Sequence, residues 1–201
     1  MRIALVDYGA GNLASVRKGF AAVGAELFTP ADAGELDGCS GVVVPGVGHF
    51  GATAGLGGAW REAIARRVAA GVPLLGICLG LQWLFDGSDE APDVEGLGLI
   101  AGRCGRMEVE RPLKIPHVGW NALEIVRDGP ILDGIASGTQ VYFTHSFSAP
   151  VTADCVAHTR HGSRFAAVVQ RGNVAGVQFH PEKSGAAGLR ILRNFTAMTE
   201  G

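Results

Sequence analysis

The sequence lacks the marks of several broad classes of protein. No C-x-x-C pair occurs, and the four cysteines (Cys39, Cys78, Cys104 and Cys155) stand far apart, which excludes a zinc ribbon or a disulfide scaffold. No long apolar run occurs either. The longest, Val72 to Phe85, is cut by glycines and by Gln82, and it falls short of the ~20 residues of a spanning helix. The opening Met1-Arg2-Ile3-Ala4-Leu5-Val6-Asp7 is closed by an acid too early for a secretory signal. Charge is sparse: 18% of residues, 17 Lys and Arg against 19 Asp and Glu, with no block of one sign. Neither nucleic acid nor a membrane is therefore an expected partner. Metal-ligand spacing is missing too. His158 and His161 are three apart in an expected turn, without a Cys or acid beside them, so no metal and no cofactor is expected. These absences together describe a cytoplasmic, reduced, soluble protein.

What is present is apolar residues and glycine. Of the 201 residues, 47% are apolar, enough for one domain over residues 1–201 whose core needs no disulfide. Glycine numbers 31, about twice its average share. The glycines cluster at the ends of apolar runs, where backbone turns sharply or approaches a ligand.

The first half alternates short apolar runs with helical patterns. Strands are expected at Ile3–Val6, Glu26–Phe28, Gly41–Val44 and Val72–Ile77. Helices are expected from Asn12, a candidate N-cap, to near Gly24, over Trp60–Ala70, and over Leu79–Phe85. Such alternation predicts a parallel sheet with helices on both faces. The second half changes period. Strand-like stretches at Met107–Glu110, Trp120–Val126, Gln140–Phe147, Cys155–Thr159, Phe165–Gln170 and Val174–Phe179 precede a last helix over Ala186–Met198. The expected fold is a single-domain α/β protein: a mostly parallel central sheet flanked by helices, with an added antiparallel hairpin region packed against it.

Gly76-Ile77-Cys78-Leu79-Gly80 places a cysteine between the most apolar strand and a helix, the context of a nucleophile elbow with Cys in place of Ser. A helix N-terminus stabilises a thiolate, and the Leu79 N–H points at an oxyanion formed beside Cys78. A buried core cysteine is the plainer alternative, at even odds for this motif alone. His180-Pro181-Glu182 ends a later strand. A His and an acid two apart share one side of extended backbone, so Glu182 can orient His180 while His180 faces a thiol. Alone, the tripeptide reads equally as a surface His beside a Glu; together with the cysteine elbow it describes a Cys–His–acid set.

These residues resemble the class I, triad-type glutamine amidotransferases. The resemblance makes Cys78 the nucleophile, His180 the base and Glu182 its orienting acid, and it makes Gln82 a holder of substrate glutamine. Asp7-Tyr8-Gly9-Ala10-Gly11-Asn12, Pro45-Gly46-Val47-Gly48-His49-Phe50, Lys114-Ile115-Pro116-His117-Val118-Gly119-Trp120-Asn121 and His180-Pro181-Glu182-Lys183-Ser184 follow in this order. They are similar to one branch of the family, the glutaminase subunits of imidazole glycerol phosphate synthases. The resemblance spans Asp7 to Ser184. It implies the expected fold, and hydrolysis of glutamine to glutamate and ammonia through a glutamyl thioester. The oxyanion N–H groups would come from Leu79 and from Val47, the latter on a Pro45–Gly48 loop that Gly46 and Gly48 free to rearrange. His145, Ser146 and Phe147 would line the substrate site, where the family more often carries Tyr at the last position. The implied partner is a (βα)₈-barrel cyclase subunit, forming a heterodimer of histidine biosynthesis, with Asn12, Trp120 and Lys183 facing it. For these three the other readings are an N-cap, a buried core Trp and a solvated Lys.

Other constellations carry less. Gly9-x-Gly11 lacks the third glycine of a dinucleotide fingerprint. Cys39, Cys104 and Cys155 read as small core residues, Asp89, Glu90 and Asp93 as a solvated loop, and His117 and His145 as structural or as contacts. An amidotransferase feeding another acceptor, a silent module and a cysteine peptidase are the competing functions. The Lys114–Asn121 segment, the complete triad and the small-amide character of Gln82 respectively weigh against them.

Overall fold

A computed structural model describes residues 2–201. In chain order the elements are β1 (Ile3–Leu5), α1 (Leu13–Ala21), β2 (Leu27–Phe28), β3 (Gly41–Val44), α2 (Ala59–Ala69), β4 (Leu74–Ile77) and α3 (Leu79–Trp83). They continue as β5 (Gly87–Ser88), β6 (Arg103–Arg106), β7 (His117–Ala122), β8 (Glu124–Ile125), β9 (Gln140–His145) and β10 (Phe147–Ser148). Three strands and a helix close the chain: β11 (Cys155–His161), β12 (Ser163–Arg171), β13 (Val174–Val177) and α4 (Gly185–Met198).

Eight strands form one sheet in the order β2-β1-β3-β4-β13-β12-β11-β8. The pairs from β2 through β13 are parallel and those beyond are antiparallel. Side chains alternate across the pleat, so each central strand feeds two cores. On one face Ile3, Leu5, Val43, Leu75 and Ile77 pack with Phe20 of α1 and with Leu192 and Phe195 of α4. On the other, Ala4, Val42, Val44 and Leu74 pack with Ile64 of α2 and with Leu81 and Trp83 of α3. Burial on both faces explains why these strands read as unbroken apolar runs.

Four expectations are corrected. The late antiparallel region divides: β7 and β9 pair as a separate two-stranded sheet, Val141 and Phe143 packing into the first core as expected, whereas the β11–β12 hairpin lengthens the main sheet, because β13 joins β4 in parallel, Val174 opposite Leu74, and carries β12 and β11 into the same layer. The strand expected at Met107–Glu110 lies earlier, at β6. Its pairing with β10 ends where Met107 N–H donates to the Ser146 carbonyl, and Pro112 and Pro116 beyond it cannot donate to a ladder. Helix α3 stops at Trp83, because Leu84 and Phe85 donate three residues back, to Leu81 and Gln82, a tightening that ends a helix. His158 and His161 lie on β11 rather than in a turn; the bend comes at Gly162, whose φ of +75° suits glycine.

Candidate active site

Three neighbouring parallel strands, β3, β4 and β13, end on the same edge of the sheet, where open α/β sheets hold their ligands. From β3 runs the loop Pro45–Gly48, from β4 the elbow at Cys78, and from β13 the segment Gln178–His180. Residues about a hundred apart in sequence meet there because the strands that carry them are adjacent.

Cys78 caps α3 with φ 55° and ψ −105°, a positive φ borne by a non-glycine residue, and such backbone strain clusters at functional sites. The turn closes tightly. A Cβ on Gly80 would overlap the Val44 carbonyl oxygen and lie 2.9 Å from its carbon. The Gln178 side-chain amide donates to the Cys78 Sγ at 3.6 Å. His180 Nδ1 lies 2.9 Å from Glu182 Oε1 and both side chains are buried; a carboxylate only accepts, so Nδ1 carries the proton. His180 Nε2 is buried without a hydrogen-bond partner, with Cys78 near enough to act on it. Burial works against the imidazolium, but the neighbouring Cys78 and the bonded Glu182 outweigh it, pushing the His180 pKa up to about 9. The site therefore favours a protonated His180.

The expected oxyanion donors are not assembled. The Leu79 N–H is taken by the Gly46 carbonyl at 3.4 Å. A trans peptide holds its C=O and N–H on opposite sides, so with that carbonyl turned toward Leu79 the Val47 N–H faces the other way. Turning this one peptide would release Leu79 and bring in Val47. A Cβ at Gly46 would collide with the Tyr8 hydroxyl and come within 2.7 Å of the Leu79 Cβ, so only glycine leaves room there.

A cavity of about 300 Å³ opens over the thiol, lined by Gly48, Cys78, Leu79, Gln82, Glu90, Pro116, Thr144, His145, Ser146 and Phe147. Its floor is a hydrogen-bonded set: the Gln82 side-chain amide donates to the Phe147 carbonyl at 2.9 Å and to the Gln178 Oε1 at 3.2 Å. The Glu90 carboxylate and the 144–147 segment also line the cavity.

Against this geometry, the sequence profile of the family described as Glutamine amidotransferase class-I matches residues 4–198. The chain belongs to the class I glutamine amidotransferases. It is 47% identical to the imidazole glycerol phosphate synthase subunit HisH of Halobacterium salinarum, covering 96% of this chain and 91% of that protein. It is 50% identical to the protein of the same name from Gloeobacter violaceus, over 96% and 88%. Among solved structures, PurLQS from Thermotoga maritima superposes with a TM-score of 0.77 at 20% identity, over 98% of this chain and 97% of that chain, a likeness of fold.

Within this amidotransferase fold, the sequence-derived site residues Cys78, Leu79, Gln82, His145, Ser146, Phe147 and Gly48 do line one cavity, with His180 and Glu182 beside the thiol. Asn12 is an exposed N-cap that accepts from the Ser15 N–H. Trp120 is not core but 55% exposed on β7, its ring 6.1 Å from Tyr142, over which Lys183 Nζ sits at 5.9 Å; aromatic ring and cation thus form one surface group. The solvated-loop reading of Glu90 is overturned: it lines the cavity and accepts from the Phe50 N–H at 2.7 Å. Gln178 was not singled out from the sequence, and Tyr8 was read only as part of the Asp7–Asn12 segment. Only the alternation of β13 could have pointed to Gln178, and no local pattern brings the Tyr8 hydroxyl to Gly46. Cys39, Cys104 and Cys155 are buried and free, and burial pushes the thiols of Cys104 and Cys155 up, away from nucleophilic use. No helix is long and apolar enough to cross a membrane among the described residues.

Proposed function

We propose that this chain is the glutaminase subunit of an imidazole glycerol phosphate synthase, acting as one amidotransferase domain in the cytoplasm. It would pair as a heterodimer with a (βα)₈-barrel cyclase that uses its ammonia in histidine biosynthesis. The observation that carries this reading is a strained Cys78 and a Glu182-bonded His180 in one small, polar cavity, in a chain nearly half identical to relatives of that name.

The residues divide the chemistry. Cys78 Sγ, as the thiolate with its proton held on His180 Nε2, attacks the side-chain amide carbon of glutamine, forming a C–S bond and an oxyanion. His180, holding the proton, gives it to the departing nitrogen, and ammonia leaves as the C–N bond breaks. His180, now neutral, takes a proton from water, whose oxygen attacks the thioester; glutamate leaves and the thiolate returns. Glu182 keeps the imidazole in the Nδ1–H form throughout, so that Nε2 does the transfers. Gln178 donates to the sulfur. Glu90 is suited to the substrate's α-ammonium, and Ser146 and Phe147 to its other end.

The oxyanion needs the Leu79 and Val47 N–H groups, and the 46–47 peptide now blocks one and averts the other. One missing donor typically lowers the rate about 10²–10³-fold, so the isolated chain should be slow. Docking of the cyclase near Asn12, Trp120 and Lys183 would favour the turned peptide. Glutamate release from glutamine, measured alone and with the cyclase and its nucleotide ligand, tests the reading, with Cys78→Ala as the blank. Strong stimulation that vanishes in the variant supports it. High activity indifferent to the cyclase removes the partner, and no activity in any mixture removes the enzyme.

A further inference from the structure

The amidotransferase chemistry leaves unassigned a pair of buried histidines, His145 at the cavity wall and His117 beyond it. Strands β7 and β9 pair antiparallel with His117 directly opposite His145, and both side chains are buried. His145 Nδ1 lies 2.9 Å from the Phe147 carbonyl. A carbonyl only accepts, so that nitrogen carries the proton, and in a neutral ring Nε2 is then bare. It faces His117 Nδ1 at 3.0 Å, which must therefore donate. His117 Nε2 is left to accept from the Asn121 side-chain amide at 3.3 Å, whose other proton goes to the Arg160 carbonyl at 3.0 Å. The directions leave no choice: Asn121 to His117 to His145 to the Phe147 carbonyl.

That carbonyl also receives Gln82, and Gln82 bonds Gln178, which donates to the Cys78 Sγ. His117 is held flat between two rings, 4.9 Å from Phe143 and 4.1 Å from His161. Residues 117, 119 and 121 share one face of β7, while Val118 and Trp120 on the other are exposed. One strand therefore carries the proposed docking residue outward and His117 inward.

We propose that His117 and His145 are positioning residues: a one-way chain of neutral imidazoles that locks the Phe147 carbonyl, and through it the carboxamides of Gln82 and Gln178, in the orientation that receives glutamine over Cys78. Burial supports the neutral state, holding His117 down to about 3 and His145 to about 4. An unlocked carbonyl would let the Gln82 amide turn and present the wrong end to the substrate. The proposal rests on the glutaminase reading for its substrate, but the tautomers do not depend on it.

The test has two parts on the full chain. In the wild type at pH 7, imidazole ¹⁵N NMR should show both rings neutral with the proton on Nδ1; a charged ring or an Nε2–H form at either position overturns the proposal, whatever the activity. In the complex with the cyclase, His117→Phe keeps the stack on Phe143 and His161 but deletes the donor. The KM for glutamine should rise about tenfold, the equivalent of one hydrogen bond to a pocket group, with kcat within about twofold. Alkylation of Cys78 by iodoacetamide, which needs no glutamine recognition, should keep its rate. His117→Gln, which restores a donor, should recover part of the KM. An unmoved KM in His117→Phe, or alkylation falling in step with it, overturns the proposal. Absence of glutaminase activity in the wild type would sink the functional reading while the NMR result still decides the pair.

Discussion

Replacing Gly80 by Ala isolates how closely the elbow is packed. Intrinsic helix propensity favours Ala by about 1 kcal/mol, so in an open helix the change would stabilise. At this position the added carbon would overlap the Val44 carbonyl oxygen and sit 2.9 Å from its carbon, well inside ordinary contact, and the obstacle is β-sheet backbone that cannot swing aside. Overpacking a well-filled core costs about 1–3 kcal/mol, and contact with rigid backbone belongs at the upper end, so steric cost outweighs propensity. The expected net loss of about 1–2 kcal/mol lowers the melting temperature by roughly 2–8 °C in a chain of this size. Function should suffer more. Relief requires the start of α3 to move off β3, carrying Cys78 and the Leu79 N–H with it, and misplacement of reacting groups by about 1 Å costs on the order of 10²-fold in rate. Thermal unfolding and steady-state glutamate release in the presence of the cyclase read the two effects. A Gly80→Ala protein with wild-type melting temperature and wild-type kcat would refute the claim that this contact sets the elbow.

Further outcomes follow from the same geometry. Acid should weaken the fold: His117 and His145 are neutral when folded, with pKa values of about 3 and 4, whereas the unfolded chain takes up their protons below about 6.5. Stability therefore falls as pH drops from 6.5 toward 4, by roughly 2 kcal/mol per ring at about pH 5. His180, raised to about 9, adds the opposite slope, with stability lost as pH rises from about 6.5 through 9. Urea midpoints across this range should peak near neutrality, and a flat profile between pH 5 and 7 would contradict the buried neutral pair. Glu182→Gln keeps an acceptor for His180 Nδ1 but removes its charge; kcat should fall at least about tenfold, the difference between a charged and a neutral hydrogen bond, and an ¹⁵N-detected titration should show the His180 pKa lowered. Trp120→Ala removes an exposed ring, so the melting temperature should stay within about 2 °C. Cyclase affinity should drop at least about thirtyfold, as for an aromatic interface anchor, measured by titration calorimetry; unchanged affinity would remove Trp120 from the interface.

Much of this protein is written locally in its sequence, because the signals are short-range. A strand that is apolar throughout and ends in Gly-x-Cys-x-Gly must turn sharply into a helix wherever it lies, and His180 and Glu182 are close enough in the chain to bond whatever surrounds them. The alternation of strands and helices over residues 3–83 follows from periodicity alone. What needed the tertiary structure is every relation across the sheet. That Cys78 meets His180 depends on β13 pairing beside β4, a partnership of segments a hundred residues apart that no local pattern encodes. The same pairing turns the β11–β12 hairpin into an extension of the sheet. Trp120 has the composition of a core residue, and only the placement of β7 at the molecule's margin, with its other face on the histidines, turns it to solvent. Glu90 sits among acids that any sequence would read as solvated, yet the loop folds back over the thiol. The direction of the 46–47 peptide is likewise set by packing against Tyr8 and Leu79. Sequence determined the reactive groups and the turns that bear them; long-range strand pairing decided which groups meet, because it alone fixes distances between residues the chain does not join.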